Sequence, residues 1–519
     1  MSLNFKYIPL TFLNDVNIIK EQIKNTVILR YLFDEYGSYS KLENLITGTQ
    51  YGYNASALQS GKNKFLRISD ITDGKVDWDT VPFCDCSDED TYLLNKNDLL
   101  IARTGGTTGK SFKIDNPPEK AIFAGYLIRI RANKENNPDF LNLFLNSYVY
   151  WSQVVSLNKG EFRPSVNATK LKDLIVPKID IEIQKDAVEI SKGFPVDGYR
   201  ELENNIKKAL DDFEKSQEII EHWKRQGNSV ELLKQSILQE AIQGKLTADW
   251  REQNQNTEPA TELLKRIKAE KDQLIKNKKI KKEKVLPPIK AEDIPFELPE
   301  GWVWSRLGVI NNIFLGGAAF SSSRFIAYSN IQVIRISNVK NDELNTFKNP
   351  VYIDEKNANE NLRNELFGGD ILITMTGTRE KRDYCFTVEL TRNHFENKRL
   401  FLNQRVGCFR INENINTTYT SLALKSQSLL EPVFESSTGS ANQANISKDA
   451  LLNILFPLPP FDEQKAIVEK VETLMQKCQA LEQEIKNSEA HAQMLMQSVL
   501  KEAFQWSGKG EKEIVELLR

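Results

Sequence analysis

Asn97-Asp98-Leu99-Leu100-Ile101-Ala102-Arg103-Thr104-Gly105 decides how the rest of the chain is read, because it returns as Gly369-Asp370-Ile371-Leu372-Ile373-Thr374-Met375-Thr376-Gly377. In both copies an Asp opens a short run rich in Leu and Ile, and the run closes on a Thr-Gly loop, the pattern of a buried strand followed by a turn. Working outward, Leu66-Arg67-Ile68-Ser69-Asp70-Ile71 matches Ile334-Arg335-Ile336-Ser337-Asn338-Val339, again read as strands, and Ser40-Lys41-Leu42 answers Ser305-Arg306-Leu307. On the other side, Leu174-Ile175-Val176-Pro177 with Gln184-Lys185 answers Ile454-Leu455-Phe456-Pro457 with Gln464-Lys465. Last, Gln235-Ser236-Ile237-Leu238-Gln239-Glu240-Ala241 answers Gln497-Ser498-Val499-Leu500-Lys501-Glu502-Ala503. Five anchors in one order imply an internal duplication of a mixed α/β domain followed by a helix. Pro457 stands 280 positions after Pro177 but Gln497 only 262 after Gln235, so the first helical segment is 18 residues longer.

Beyond Ile467, apolar or small residues recur at Val471, Leu474, Cys478, Leu481, Ile485, Ala492, Leu495 and Val499, in steps of three and four apart from one gap at Ser488, which is a heptad. Leu202, Ile206, Ala209, Phe213, Ile220 and Trp223 keep the same rhythm, Gly227 interrupts it, and Val230, Leu233 and Ile237 resume it. Each stripe is compatible with a helix lying on its own domain, or with the two repeat-related helices packing on each other. The economical solution is an antiparallel pair with a domain at either end. A helix from Gln464 to Gln505 spans about 60 Å at roughly 1.5 Å per residue, more than one turn of a DNA duplex.

The 519 residues, 40% hydrophobic and 27% charged, exclude a single core, a disordered chain and a fibre. No apolar run approaches the roughly 20 residues of a membrane span, and Met1 to Leu10 lacks the basic and apolar regions of a secretion signal, so no membrane association and a cytoplasmic place are expected. Cys84, Cys86, Cys385, Cys408 and Cys478 are few and scattered, which argues for a reducing compartment and against a zinc site. The net charge of −2 lacks the basic footprint common in nucleic-acid binders; positive charge is local, at Lys265-Arg266-Ile267-Lys268 and Lys276 to Lys284, read as a solvated helix or linker. Helical spacing of Ile18, Ile19, Ile23, Val27 and Tyr31 predicts an added helix from Asn14 to Tyr36, which could lie beside the long helices or cover the first domain.

Catalytic motifs fail on inspection. Thr104-Gly105-Gly106-Thr107-Thr108-Gly109-Lys110-Ser111 nearly spells a phosphate-binding loop, but Thr stands at its first position and Asn116-Pro117-Pro118 follows where a helix is required. Asp115-Asn116-Pro117-Pro118 has Glu119 where a base-stacking aromatic of an adenine methyltransferase belongs. The chain is therefore read as non-catalytic, with no catalytic, metal-binding or cofactor-binding residue. Its loops suit DNA instead. Arg67, Arg103, Thr104, Thr107 and Lys110 in the first half, and Arg335, Thr376, Thr378, Arg379, Lys381 and Arg382 in the second, supply guanidinium forks for guanine, hydroxyls for bases and ammonium groups for phosphate. Asn442, Gln443 and Asn445 add amides suited to adenine, with Arg163 and Asn167 opposite them in the repeat.

These anchors resemble the DNA-specificity subunit of type I restriction-modification systems over essentially the whole chain. The segment from Ile454 through Leu458-Pro459-Pro460-Phe461-Asp462-Glu463-Gln464 to Val468 looks like that family's junction of recognition domain and conserved helix. Ala241 to Arg251, with Leu298-Pro299-Glu300-Gly301-Trp302, looks like its central conserved region. The resemblance implies an α+β fold with a pseudo-two-fold repeat: two mixed α/β target-recognition domains separated by a long antiparallel coiled coil of two conserved helical regions. Its divisions are an N-terminal helical extension at 1–36, domains at 37–180 and 291–460, the central helical region with connector at 181–290, and a C-terminal helical region at 461–519. It also implies a bipartite, asymmetric target in double-stranded DNA and two methylation subunits docked on the helices. Those subunits carry S-adenosylmethionine for adenine-N6 methylation, and restriction subunits carry ATP and Mg, none of these cofactors being bound by this chain. The first half departs from the pattern at Lys178-Ile179-Asp180, which lacks the second Pro-rich turn, and at Phe194-Pro195-Val196-Asp197-Gly198, which interrupts the start of its helix. A coiled-coil scaffold that binds protein, or an autonomous methyltransferase or ATPase, are the readings left beside it.

Overall fold

The computed structural model describes residues 15–504 apart from 73, 159–164 and 441–442. It divides into two compact units, Met1–Lys224 with Asn487–Arg519, and Arg225–Lys486. No helix among the described residues is long and apolar enough to cross a membrane.

In the first unit, helix α1 (Val16–Tyr36) precedes the main strands β1 (Ile46–Tyr51), β2 (Asn63–Leu66), β3 (Leu99–Ala102), β4 (Ser111–Lys113), β5 (Ala121–Phe123) and β6 (Leu127–Ala132). Helices α2 (Pro138–Leu145), α3 (Tyr148–Leu157) and α4 (Ile181–Lys192) follow, then the long α5 (Arg200–Ile242). The main sheet runs β1-β6-β3-β4, all antiparallel, while β5 lies parallel to β2. β3 is apolar throughout because both faces are covered. Leu99 and Ile101 meet Ile128, Phe140, Phe144 and Tyr150 on one side, and Leu100 and Ala102 meet Leu66, Ile114 and Phe123 on the other.

The second unit repeats this plan with β7 (Asn311–Gly316), β8 (Ile331–Ile334), β9 (Ile371–Thr374), β10 (Thr387–Glu389), β11 (Arg399–Leu402) and β12 (Val406–Ile411). Its sheet order is β7-β12-β9-β10, and β11 lies parallel to β8. Helix α6 (Ala260–Lys276) precedes these strands and α7 (Phe461–Phe504) follows them.

The repeated residues do repeated structural work. Asn97 and Gly369 take the left-handed backbone (φ 70° and 87°) that opens β3 and β9. The buried carboxylates of Asp98 and Asp370 close the preceding turns on the peptide N–H groups of Asn95 and Phe367, and pair with Arg131 at 2.5 Å and Arg410 at 2.9 Å. Gln184 and Gln464 each accept a peptide N–H, from Asn137 and Asn416, and donate to a carbonyl, of Ile179 and Pro459. The Arg67 and Arg335 anchors differ from expectation. The strands stop at Leu66 and Ile334, and a single 3-10 turn follows, because Asp70 and Asn338 accept the N–H of Arg67 and Arg335 and close it.

The long helices meet as antiparallel neighbours within each unit. In the first, Lys208 reaches Glu502, and Phe213 packs with Met496 and Leu500; in the second, Lys234 pairs with Glu482 at 2.6 Å, and beyond the end of α5 Asp249 pairs with Lys470 at 3.0 Å. Gly227 faces Ile485 without interrupting α5. The buried row of α7 is narrower than the predicted stripe: Val471, Cys478, Ile485 and Ala492 recur every seven residues, while Leu481 (41% exposed) and Leu495 (47%) point outward. Two helices bury one row, and in the first unit Ile23 of α1 joins as a third helix and draws in Met496 and Leu500 instead. α1 fills both roles left open for it, since Ile28, Leu29, Leu32 and Phe33 also enter the core of the first sheet. The first helical segment breaks at 193–199, between α4 and α5, where the second runs on as the single helix α7; those residues account for only part of its extra length.

Helix α6 carries the charge read as a solvated helix or linker. Lys265, Arg266 and Lys268 are indeed exposed, while the opposite face docks: Ala260, Leu263 and Ile267 are buried, and the Lys271 ammonium donates to the carbonyls of Gly308 at 2.6 Å and Asn311 at 2.7 Å, burial pushing its pKa down. The junction motifs converge on Glu463, 1% exposed, whose carboxylate accepts from Thr247 at 2.7 Å, Arg251 at 2.5 Å and the Trp302 indole at 2.8 Å. Ile183 holds the matching place beside Gln184.

Candidate nucleic-acid interface

β3 ends in a loop built on aromatic rings. Gly109 packs so closely that a Cβ there would lie 2.8 Å from the Trp151 ring, and its carbonyl accepts the Tyr150 hydroxyl at 2.8 Å. The Thr108 hydroxyl donates to the carbonyl of Gly105 at 2.8 Å. Thr104, Gly105 and Gly106 are thereby held out to solvent, with Thr107 and Lys110 half-buried behind them. The chain then enters strand β4, not a helix, so no helix N-terminus faces this loop.

Arg103 is the knot of the site. Its peptide N–H donates to the carbonyl of Tyr126 at 3.0 Å and its carbonyl accepts the Val166 N–H at 2.9 Å. Its guanidinium lies over the Tyr51 ring at 4.5 Å and donates to the carbonyl of Gly125 at 3.2 Å. The Tyr51 hydroxyl in turn accepts the Ala168 N–H at 3.0 Å. The loops after β1 and after β5, and the segment from Val166 to Ala168, are thus drawn to the end of β3.

The second unit closes the end of β9 with the same two backbone bonds. The Met375 N–H donates to the carbonyl of Arg405 at 3.0 Å, and the Ile446 N–H donates to the carbonyl of Met375 at 2.9 Å. Thr376 pairs with Asn445 in a short antiparallel ladder, and the Thr378 N–H donates to Asp383. Arg379 donates to the carbonyl of Ser437, and Arg382 makes a two-pronged pair with Glu431 at 2.8 and 2.9 Å above the Phe434 ring. That carboxylate holds the Arg382 guanidinium above its ordinary pKa.

The predicted residues thus divide. Thr104, Thr107, Lys110, Thr376, Thr378, Lys381, Gln443 and Asn445 gather around the two strand ends, Lys381 and Gln443 exposed. The Arg67 guanidinium pairs with Asp70 of its own turn at 2.6 Å while its side chain stays 42% exposed, and that of Arg335 donates to the carbonyl of Asn349 at 2.6 Å. Arg163 and Asn442 lie outside the described residues. Asn167 accepts the Lys170 N–H at 2.8 Å and starts a helix, as Ser447 does for Ala450. The bonds of Val166 and Ile446 therefore align Asn167 with Ser447 rather than with the amides before it. Sequence reading missed Tyr51, Tyr126 and Arg405, whose only signal is a strand end followed by a turn.

A family model described as the type I restriction modification DNA specificity domain matches residues 44–212 and 299–488, one stretch over each sheet. The type I restriction enzyme EcoAI specificity subunit of Escherichia coli is 34% identical over 315 residues, 58% of this chain and 51% of that protein. The EcoEI specificity subunit of Escherichia coli is 31% identical over 318 residues, 59% and 52% of the two chains. This chain thus spans about half the length of the curated relatives it matches. A chain from a structure on complex assembly and conformational transition of the type I R-M system is 17% identical with a TM-score of 0.48, covering 90% of this chain and 97% of that one. With one family model laid over both sheets and most of the residues between their first strands and the long helices, the chain belongs to the type I restriction modification DNA specificity domain family.

Proposed function

We propose that this chain is the sequence-specificity subunit of a type I restriction-modification enzyme, reading a bipartite, asymmetric target in double-stranded DNA. It has two target-recognition domains separated by an antiparallel coiled coil of the two conserved helical regions, and its pseudo-two-fold repeat gives one reader per half-target. The observation that carries this reading is the pair of strand ends: the same two backbone bonds close β3 and β9, yet the side chains around them differ. A conserved frame with divergent exposed groups is what two readers of unlike sequences require.

In this reading the chain carries no catalytic group and works in the cytoplasm. Two methylation subunits, which bind S-adenosylmethionine and methylate adenine at N6, dock on the long helices, and restriction subunits that use ATP and Mg join them. Exposed apolar side chains on those helices support docking: Ile219, Met494 and Leu495 in the first unit, and Leu232, Leu233 and Leu481 in the second, Leu232 being 72% exposed.

The test is to replace residues 40–180 with another recognition domain and sequence the methylated adenines in cells that also carry the methylation subunits. One part of the methylated motif should change and the other persist; an unchanged motif contradicts the reading. The near-neutral charge, with several arginines engaged inside the domains, favours a protein-binding scaffold as the second reading. Duplex affinity of the complex that falls steeply with rising salt would exclude it.

A further inference from the structure

Beside each strand end stands a three-residue tip, between β5 and β6 and between β11 and β12. The backbone bonds give both tips one register. Ala124 and Asn403 donate their N–H to the carbonyls of Leu66 at 2.9 Å and Ile334 at 3.0 Å. Leu127 and Val406 donate back to the carbonyls of Ala124 at 2.9 Å and Asn403 at 3.0 Å. Gly52 and Gly317 press against the same two residues, a Cβ on either falling 2.2 Å from the carbonyl oxygen of Ala124 or 1.9 Å from that of Asn403. Ala124-Gly125-Tyr126 therefore occupies the place of Asn403-Gln404-Arg405, and the two triplets share no residue.

The tips lie against the reading loops. The carbonyls of Tyr126 and Arg405 accept the N–H groups of Arg103 and Met375, the residues that begin those loops. Their side chains are the ones left over. In the first unit the Arg103 guanidinium is held on Tyr51 and Gly125, while Tyr126 is 68% exposed. In the second, Arg379 and Arg382 bind Ser437 and Glu431, while Gln404 and Arg405 are exposed and make no side-chain hydrogen bond or ion pair to any described residue.

We infer that the tips are specificity-determining elements: Tyr126 for the first half-target, Gln404 and Arg405 for the second. This rests on the DNA-reading function and adds the side chains that discriminate. The Arg405 fork fits guanine O6 and N7 in the major groove, the Gln404 amide fits adenine N6 and N7, and the Tyr126 ring suits the thymine methyl group. Since none of the three side chains packs into a core, exchanging them changes what is read and leaves the frame standing.

The experiment uses the full chain with its methylation partners in cells, with sequencing of methylated adenines for the unaltered chain and for Tyr126→Ala, Gln404→Ala, Arg405→Ala and Arg405→Lys. Arg405→Ala should relax preference at one base pair in one part of the motif by about tenfold or more. Arg405→Lys should do the same, because it keeps the charge and loses the fork. Tyr126→Ala should relax only the other part. An unchanged motif overturns the inference, and so does uniform weakening with base preference intact, which is the behaviour of a phosphate contact. Absence of any motif with the unaltered chain overturns the DNA-reading function itself, and this inference with it.

Discussion

At the scale of single residues, Gly317 and Gly52 are where one added carbon decides most. Neither has a left-handed backbone; what forbids a side chain is the carbonyl across the gap. Overpacking of this kind typically destabilises by about 1–3 kcal/mol, so Gly317→Ala should unfold at visibly lower urea. Gly316→Ala, with nothing within 4 Å of its Cβ, is the matched control and should stay within about 0.5 kcal/mol of the unaltered chain. The thiols offer a second check. Burial raises the pKa of Cys84 to about 11 and of Cys385 to about 12, and pushes Cys408 well above the ordinary value. A raised thiol stays protonated through neutral pH, so these three should resist a thiol reagent at pH 8 in the native chain and react once it is denatured. Rapid native labelling would contradict the buried placement. What was legible at this scale is what both copies use for folding: Asp98 with Asp370, Gln184 with Gln464. Tyr126 and Arg405 were not legible, because exposed side chains on a shared turn carry no pattern, and nothing in the sequence tells that Arg67 bonds to Asp70 or Arg335 to the carbonyl of Asn349.

At the scale of elements, the junction around Glu463 explains why widely separated stretches look so fixed. Thr247, Arg251 and Trp302 come from distant segments and all donate to one buried carboxylate at the first turn of α7. Removing it strands a guanidinium and an indole N–H in a buried place. Glu463→Ala should therefore lower stability of the second unit by about 3–5 kcal/mol, read from denaturant unfolding with amide exchange in α7 as the local probe. A neutral result would mean that α7 is held by its apolar row alone. The heptad reading of that row was right about period and only partly right about face. Spacing reveals that a helix is amphipathic, but the number of neighbours sets how wide the buried stripe is. Leu481 needed a further helix to be covered, and Met496 gained one in α1.

At the scale of the whole molecule, the two units differ in how the chain assembles them. The second is one continuous stretch, Arg225–Lys486, whereas the first needs Asn487 onward to complete it. Deleting residues 16–36 should leave Phe213, Met496 and Leu500 without Ile23 and loosen the first unit. Amide exchange should then quicken there while the second unit keeps its protection; equal loss in both would show that they fold as one. The division itself follows from the duplication, which was legible from the start, but the discontinuity was not, since nothing in a local sequence window says that a chain's early helix waits for its late one. Arg30 makes that wait concrete, reaching the carbonyls of Glu502 at 3.1 Å and Ala503 at 2.9 Å. During synthesis at roughly 5–20 residues per second, the apolar faces of α1 and the start of α5 emerge from the ribosome on the order of tens of seconds before their partners on α7 exist. The first unit is begun first and finished last, and in that interval its uncovered apolar helical surface leaves the newborn chain prone to aggregate.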